Sequence, residues 1–308
     1  MTIASTGLAG HWVTLALAQV IAGLGAGLML PAIYSLAAFI APTGRESAVL
    51  GRVITGWSLA MVAAVPASAF VADRWGWRTA FFIVAGLGGC ALLGFRRLPE
   101  LKPRSGRPGG SLRGALAIQD ASLTLGVCFL YMVSFYGVYT FLGAFVESRP
   151  GGSASLAGMA VLAYGCGFGA GSLAGTLIDR VSARIAARYI LMAISCVYLL
   201  LSAVSTASFA TIVPTCFLWG SVNHLGLNSL VSVLSQLDEE GRVRLMGLFS
   251  AVSYGGMMVA GISFGFLYET LGFAALPMSA AILCGISAVL ARVCLSQRGT
   301  CPQRHEAY

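Results

Sequence analysis

Charged residues are scarce in this 308-residue chain, at 10% of the sequence, whereas hydrophobic residues make up 57%. A soluble domain carries roughly 25% charged residues, so this chain could not build an ordinary water-facing surface. Lysine is almost absent, since Lys102 is the single lysine among the 19 basic residues. With a mean hydropathy of +0.84, the composition indicates a protein whose surface faces lipid.

Motifs for metal, cofactor or catalytic chemistry are also missing. The sequence holds no CxxC pair, no HExxH and no Asp-rich pair, and a lipid-modifying enzyme would need a cluster of Asp, His or Cys at the membrane face. The eight cysteines lie mostly inside apolar runs and are expected to be small core hydrophobes. We therefore expect no catalytic residue, no metal and no cofactor.

Nine apolar stretches are long enough to cross a bilayer, which takes a helix of about 20 residues. They run approximately over 14–40, 49–72, 79–95, 122–146, 155–178, 185–205, 209–236, 245–268 and 273–295. We expect an all-α integral membrane bundle with three spans before the longest connector and six after it. The predicted organisation is a partial N-terminal bundle (1–95), a basic cytoplasmic linker (96–121), a six-helix bundle (122–296) and a cytoplasmic tail (297–308).

The arginines predict the orientation. When alternate connectors are grouped by side, one side carries 16 basic residues and the other only Arg74, Arg78 and Arg149. Because basic residues concentrate on the cytoplasmic side, the first side is expected to be cytoplasmic, with the C-terminus inside and the N-terminus outside. Nothing before residue 14 resembles a signal peptide. The basic residues lie between apolar runs, so lipid is the expected partner and nucleic acid is not.

Small residues recur four positions apart in three spans, at Gly23 and Gly27, at Gly167, Gly171 and Gly175, and at Gly261 and Gly265. Such spacing lets two helix backbones approach closely in lipid. Two interpretations remain open: plain packing, or surfaces that slide as the protein rocks.

Three segments resemble the major facilitator superfamily of transporters. Residues 15–27, LALAQVIAGLGAG, followed by Pro31, resemble its fourth helix. Residues 56–81, with Gly56 and Pro66, resemble its fifth helix and its antiporter motif. Residues 175–184, GTLIDRVSAR, resemble its loop motif of Gly, Asp-Arg and a basic end. The resemblance implies helices 4 to 12 of a twelve-helix protein of the efflux branch, and hence an N-terminally truncated chain in a bacterial inner membrane.

The sequence departs from the family pattern at telling positions. Gln19 stands where the fourth-helix motif of antiporters usually has Arg, which argues against the family's usual route of proton coupling. In addition, all eleven Asp and Glu residues fall in connectors or at the ends of apolar runs, whereas intramembrane acids are the usual proton sites of transporters.

The candidate substrate pathway combines resemblance with a polar segment in the seventh span, FLWGSVNHLGLNSLVS. Its polar residues share one helical face, which should point into the bundle or a cavity, and a histidine there titrates near neutral pH. The resemblance implies that helices 4, 7 and 10 line one cavity. The expected pathway residues are Gln19, Tyr131, Phe135, Tyr136, Trp219, Asn223, His224 and Asn228. The alternatives are a neutral histidine bonded to a neighbouring helix and ordinary core aromatics.

The loop motif implies a latch on the cytoplasmic side. Asp179 and Arg180, with Gly175 before and Arg184 after them, are expected to hold that side closed against the second span near Arg52. The alternative is an ordinary charged turn.

The resemblance implies efflux of a small organic solute, such as a drug, sugar or nucleoside, by alternating access. Proton antiport is the expected coupling. The alternatives are an inactive transporter remnant and, disfavoured by the missing motifs, a membrane-embedded enzyme. The sequence leaves the oligomeric state open.

Overall fold

The computed structural model describes residues 2–40, 56, 59–96, 114, 116–178, 183–238 and 242–295. Within these ranges the regular structure is helical throughout. The helices are α1 Thr2–Leu8, α2 Trp12–Ile40, α3 Val65–Trp75, α4 Trp77–Phe95, α5 Ala121–Glu147, α6 Ala154–Ile178, α7 Ala183–Val204, α8 Phe209–Ser235, α9 Arg242–Leu271 and α10 Ala275–Leu295. A π-helical turn, Ala60–Ala64, leads directly into α3.

The helices follow the predicted spans closely, and the main difference lies between α3 and α4. The sequence predicts a break over 73–78, because charged residues interrupt the apolar run there. The structure instead continues both helices up to Gly76, whose φ of 84° and ψ of 151° end α3. Only glycine adopts this conformation readily, so a single residue makes the turn.

Seven helices in the described ranges have the length and the apolar composition needed to cross a membrane. Helix α8 is not among them, although it has 27 residues, because its polar segment lowers its hydropathy. The number nine stays a prediction, since part of the 49–72 stretch lies outside the described residues.

One group of mutually contacting residues comprises the described parts of 110–140 and 167–308. Here α7 packs against α8 and α10. Two serines of α7 donate hydrogen bonds to backbone carbonyls in or next to α10. Ser195 Oγ lies 2.7 Å from Ala281 O within α10, and Ser202 Oγ lies 2.8 Å from Ala274 O, just before α10 begins. These bonds add polar attachments to an apolar interface.

A second group comprises the described parts of 1–109 together with 141–166. Helix α1 packs against α2 and α4, and α3 packs against α4. Arg78 Nη2 donates a hydrogen bond to Ala9 O, just past the end of α1, at 3.1 Å. Helices α3 and α4 contain no fully buried residue among those described.

Large apolar side chains cover the outside of several helices. On α9, Met258, Ile262 and Phe266 are 64%, 71% and 69% exposed and follow one another at four-residue intervals. This spacing puts them on one face. A continuous exposed apolar face of this kind is uncommon on soluble monomers and fits a lipid-facing surface.

Candidate functional site

The polar segment of α8 is distributed over several environments instead of lining one open face. Asn223 is 2% exposed and Trp219 is fully buried, whereas His224 is half-buried and Asn228 is exposed. The face proposed from the sequence therefore has a buried edge and an accessible edge.

Asn223 is held by a tyrosine from α5. The Tyr131 hydroxyl lies 2.7 Å from Asn223 Oδ1 and 3.0 Å from the Asn223 carbonyl oxygen. Tyr131 is itself only 2% exposed, so the pair is a buried polar contact between α5 and α8. The structure thus brings together two residues assigned to the pathway from sequence, and in this conformation both lie inside the protein.

An aromatic cluster surrounds Phe135, and we define it as Phe135, Tyr136, Tyr139, Tyr198 and Trp219. The ring centroid of Phe135 lies 4.9 Å from that of Tyr136, 5.2 Å from Tyr139 and 5.9 Å from Trp219. Trp219 also lies 5.6 Å from Tyr198.

The cluster has an inner and an outer part. Trp219 and Tyr198 are fully buried, whereas Tyr136 and Tyr139 are half-buried. The inner rings are therefore core aromatics, whereas the outer rings keep accessible edges; that these edges line a substrate pathway stays a prediction. The sequence analysis did not select Tyr198, because a lone tyrosine in an apolar span gives no signal for its partner.

His224 packs against α6. Its ring makes an edge-on contact with Phe168, with centroids 4.6 Å apart and planes at 80°. Its Nδ1 is buried and makes no hydrogen bond with any described residue. At Nδ1, therefore, the described residues do not provide the hydrogen bond to a neighbouring helix that the alternative interpretation requires.

Glycines let α6 approach α8 closely. A methyl group built on Gly167 would overlap the carbonyl oxygen of Phe217, and one on Gly171 would meet Ser221 O and His224 Cβ. The close approach predicted from the glycine spacing is present here. In contrast, a methyl on Gly23, Gly27 or Gly261 would meet no described atom within 4 Å.

The residues assigned from the fourth- and fifth-helix motifs belong to the other contact group. Gln19 is exposed on α2, and its Nε2 lies 3.4 Å from the hydroxyl of buried Thr6. Gly56 is exposed. Pro66 is the second residue of α3, directly after the π-helical turn that ends at Ala64. Because proline has no backbone N–H, one helical hydrogen bond is missing at this position.

Helices α3 and α6 meet near Pro66. A methyl built on Gly158 of α6 would lie 3.0 Å from Ala69 Cβ and 3.6 Å from Pro66 Cα. Further along both helices, Ser155 Oγ donates a hydrogen bond to Asp73 Oδ2 at 2.7 Å. The sequence analysis placed Asp73 at a helix end but assigned it no function.

The latch predicted from the loop motif falls largely outside the described residues, which include neither Arg52 nor Asp179 and Arg180. Gly175 lies in the last turn of α6. Arg184 lies in the first turn of α7, and its Nη1 is buried without a hydrogen bond to any described residue.

Comparison with known proteins bears directly on these helices. Residues 1–238 match the profile of the Major Facilitator Superfamily. The chain is similar to YwfA of Bacillus subtilis (strain 168), an uncharacterized MFS-type transporter, at 28% identity over 299 residues, covering 94% of this chain and 72% of the relative.

The fold is similar to that of the Escherichia coli fucose:proton symporter FucP. One crystal structure gives a TM-score of 0.64 at 14% identity and covers 95% of this chain and 79% of the symporter. A second, of FucP in the outward conformation, gives 0.58 at 17% identity, with 95% and 78% covered. The family consists of transporters rather than enzymes. With its profile matched over most of the sequence, this chain belongs to the Major Facilitator Superfamily and is an integral membrane transporter.

Proposed function

We propose that the chain exports a small, uncharged, ring-bearing organic solute by alternating access, in exchange for protons. The observation that carries the substrate class is the accessible edge of Tyr136 and Tyr139, near helix interiors in which the described residues include no Asp, Glu, Lys or Arg. Flat aromatic faces of this kind stack against rings or apolar sugar faces, and neighbouring amides and hydroxyls fix orientation.

The placement of charge supports an uncharged substrate. Every described charged residue that lies in a helix is within about two turns of a helix end: Asp73, Arg74, Arg78, Glu147, Arg184, Arg188, Arg242, Arg244, Glu269 and Arg292. No described Asp, Glu, Lys or Arg in the middle of a helix could therefore neutralise a charged solute, and an unpaired charge inside a membrane is costly.

His224 is the group we assign to proton transfer. Of the two histidines that the structure describes, His224 alone lies in the middle of a helix, and its buried Nδ1 has no described hydrogen-bond partner. A neutral imidazole with a free ring nitrogen can accept a proton without first breaking a bond. Asn228, exposed and one turn further along α8, extends the polar edge that we propose as the pathway lining, because lipid would penalise an amide there.

Import coupled to protons is the second candidate. The symporter FucP shares the fold, and its substrate, fucose, is an uncharged ring. The two candidates predict opposite directions of solute movement under the same proton gradient, so one assay separates them.

The test uses purified protein in lipid vesicles with an imposed pH gradient and a panel of labelled fucose, uridine and a neutral fluorescent drug. We expect at least one solute to move against its gradient, towards the acidic side for antiport. His224→Gln should abolish gradient-driven movement but retain exchange of labelled for unlabelled solute. His11→Gln, which changes an exposed histidine between α1 and α2, is the matched control. Unchanged driven transport in His224→Gln would remove this residue from coupling.

A further inference from the structure

Helices α3 and α6 touch at two levels, one helical turn apart. Asp73 and Ser155 form the hydrogen bond at the first level, and Ala69 and Gly158 form the close contact at the second. Residue numbers fall along α3, from 73 to 69, as they rise along α6, from 155 to 158, so the two helices run antiparallel here. Both contacts hold the same pair of helix ends together.

The orientation predicted from the arginines puts this contact at the outer surface of the membrane. Arg74 adjoins Asp73, and Arg149 precedes α6, and both belong to the arginine-poor side.

The strength of the outer contact suits a bond that must open repeatedly. A hydrogen bond to a charged acceptor is stronger than a neutral one, but Asp73 is exposed and Ser155 half-buried, so water can replace either partner. The glycine at position 158 permits contact without interlocking side chains. Such an interface holds two helix ends together and yet separates at low cost.

We infer that the Asp73–Ser155 hydrogen bond, supported by the Ala69–Gly158 contact, is a latch that keeps the outer ends of α3 and α6 together while the pathway is closed to the outside. This inference rests on the proposed alternating-access function. Beyond that function, it names the residues that determine how often the outer ends of α3 and α6 separate.

The test measures access to a reporter cysteine, Val65→Cys, which lies two turns inward from Asp73 on α3. Intact cells are treated with a membrane-impermeant maleimide, and labelling of the peptide that contains residue 65 is quantified by mass spectrometry. Ser155→Ala and Asp73→Ala should each raise the labelling rate about 3- to 10-fold, the ratio that loss of one net hydrogen bond produces.

Ser148→Ala is the matched control. Its hydroxyl donates to Phe145 O within the same turn, at 2.9 Å, so the variant loses a serine bond on the same side of the membrane without touching α3. An unchanged labelling rate in both latch variants, or an equal rise in the control, would overturn the inference.

A second measurement makes the outcome independent of transport. In a protein carrying Asp73→Cys and Ser155→Cys, a short bifunctional thiol reagent should link the two helices, as detected by peptide mass. Neither labelling nor cross-linking needs a substrate or a gradient, so failure of the transport assay leaves both readable. Absence of the cross-link would show that these ends do not meet.

Discussion

A buried amide inside an apolar helix bundle needs a partner, and Asn223 has one in Tyr131. The hydroxyl-to-amide distance is 2.7 Å, and both side chains are almost completely buried. A buried polar group left without a partner costs more than the bond itself contributes. The pair therefore fixes how α5 meets α8 and keeps Asn223 turned inward.

We predict that Tyr131→Phe lowers the free energy of unfolding by about 0.5–2 kcal/mol, the range for a buried hydrogen bond between membrane helices. Unfolding in mixed detergent micelles, followed by circular dichroism, measures the change. Tyr136→Phe removes a hydroxyl from a half-buried tyrosine of the same helix and should change stability less. Equal effects would mean that the Tyr131–Asn223 bond contributes nothing specific.

At the scale of the helix, the glycines of α6 determine how near α8 can come. Gly167 faces the backbone of Phe217 so closely that a methyl group has no room. A backbone carbonyl cannot turn aside as a flexible side chain can, so a larger residue would push the whole helix. This contact also positions Phe168 against His224.

Gly167→Ala should therefore destabilise the protein by about 1–3 kcal/mol through overpacking. Gly169→Ala is the control on the same helix, since its added methyl meets no described atom within 4 Å; it should be neutral or stabilise by up to about 1 kcal/mol, because alanine favours helix over glycine. Thermal unfolding in detergent compares the two. A Gly167→Ala variant as stable as the parent would contradict the close packing of α6 on α8.

At the scale of the whole molecule, the arginine distribution predicts which surface faces the cytoplasm. The sequence puts Arg149 on the arginine-poor side and Arg104 in the basic connector. Both the substrate direction and the outer position of the Asp73–Ser155 latch depend on this orientation.

We predict that a cysteine at Arg149→Cys reacts with an impermeant maleimide in intact cells, whereas one at Arg104→Cys reacts only after the membrane is permeabilised. The contrast follows from the retention of basic residues on the cytoplasmic side. Peptide mass spectrometry of the two variants measures it. The reverse pattern would invert the topology.

The sequence by itself determined the helices and the class of protein. Twenty-residue apolar runs have few alternatives to a membrane helix, so α5, α6 and α8 agree with the predicted spans to within a residue or two. The family followed from short motifs, and the profile match confirmed it. The predicted latch, the linker and the number of spans remain predictions, because much of each falls outside the described residues.

Only the tertiary structure decided which polar residues face each other. Hydrophobic periodicity tells which residues share a face but not which helix that face meets. The sequence therefore did not show that Asn223 meets Tyr131 of α5, while Asn228 stays exposed. Likewise, Asp73 and Ser155 are 82 positions apart in the chain. Their contact depends on how two antiparallel helices pack, which local sequence does not encode.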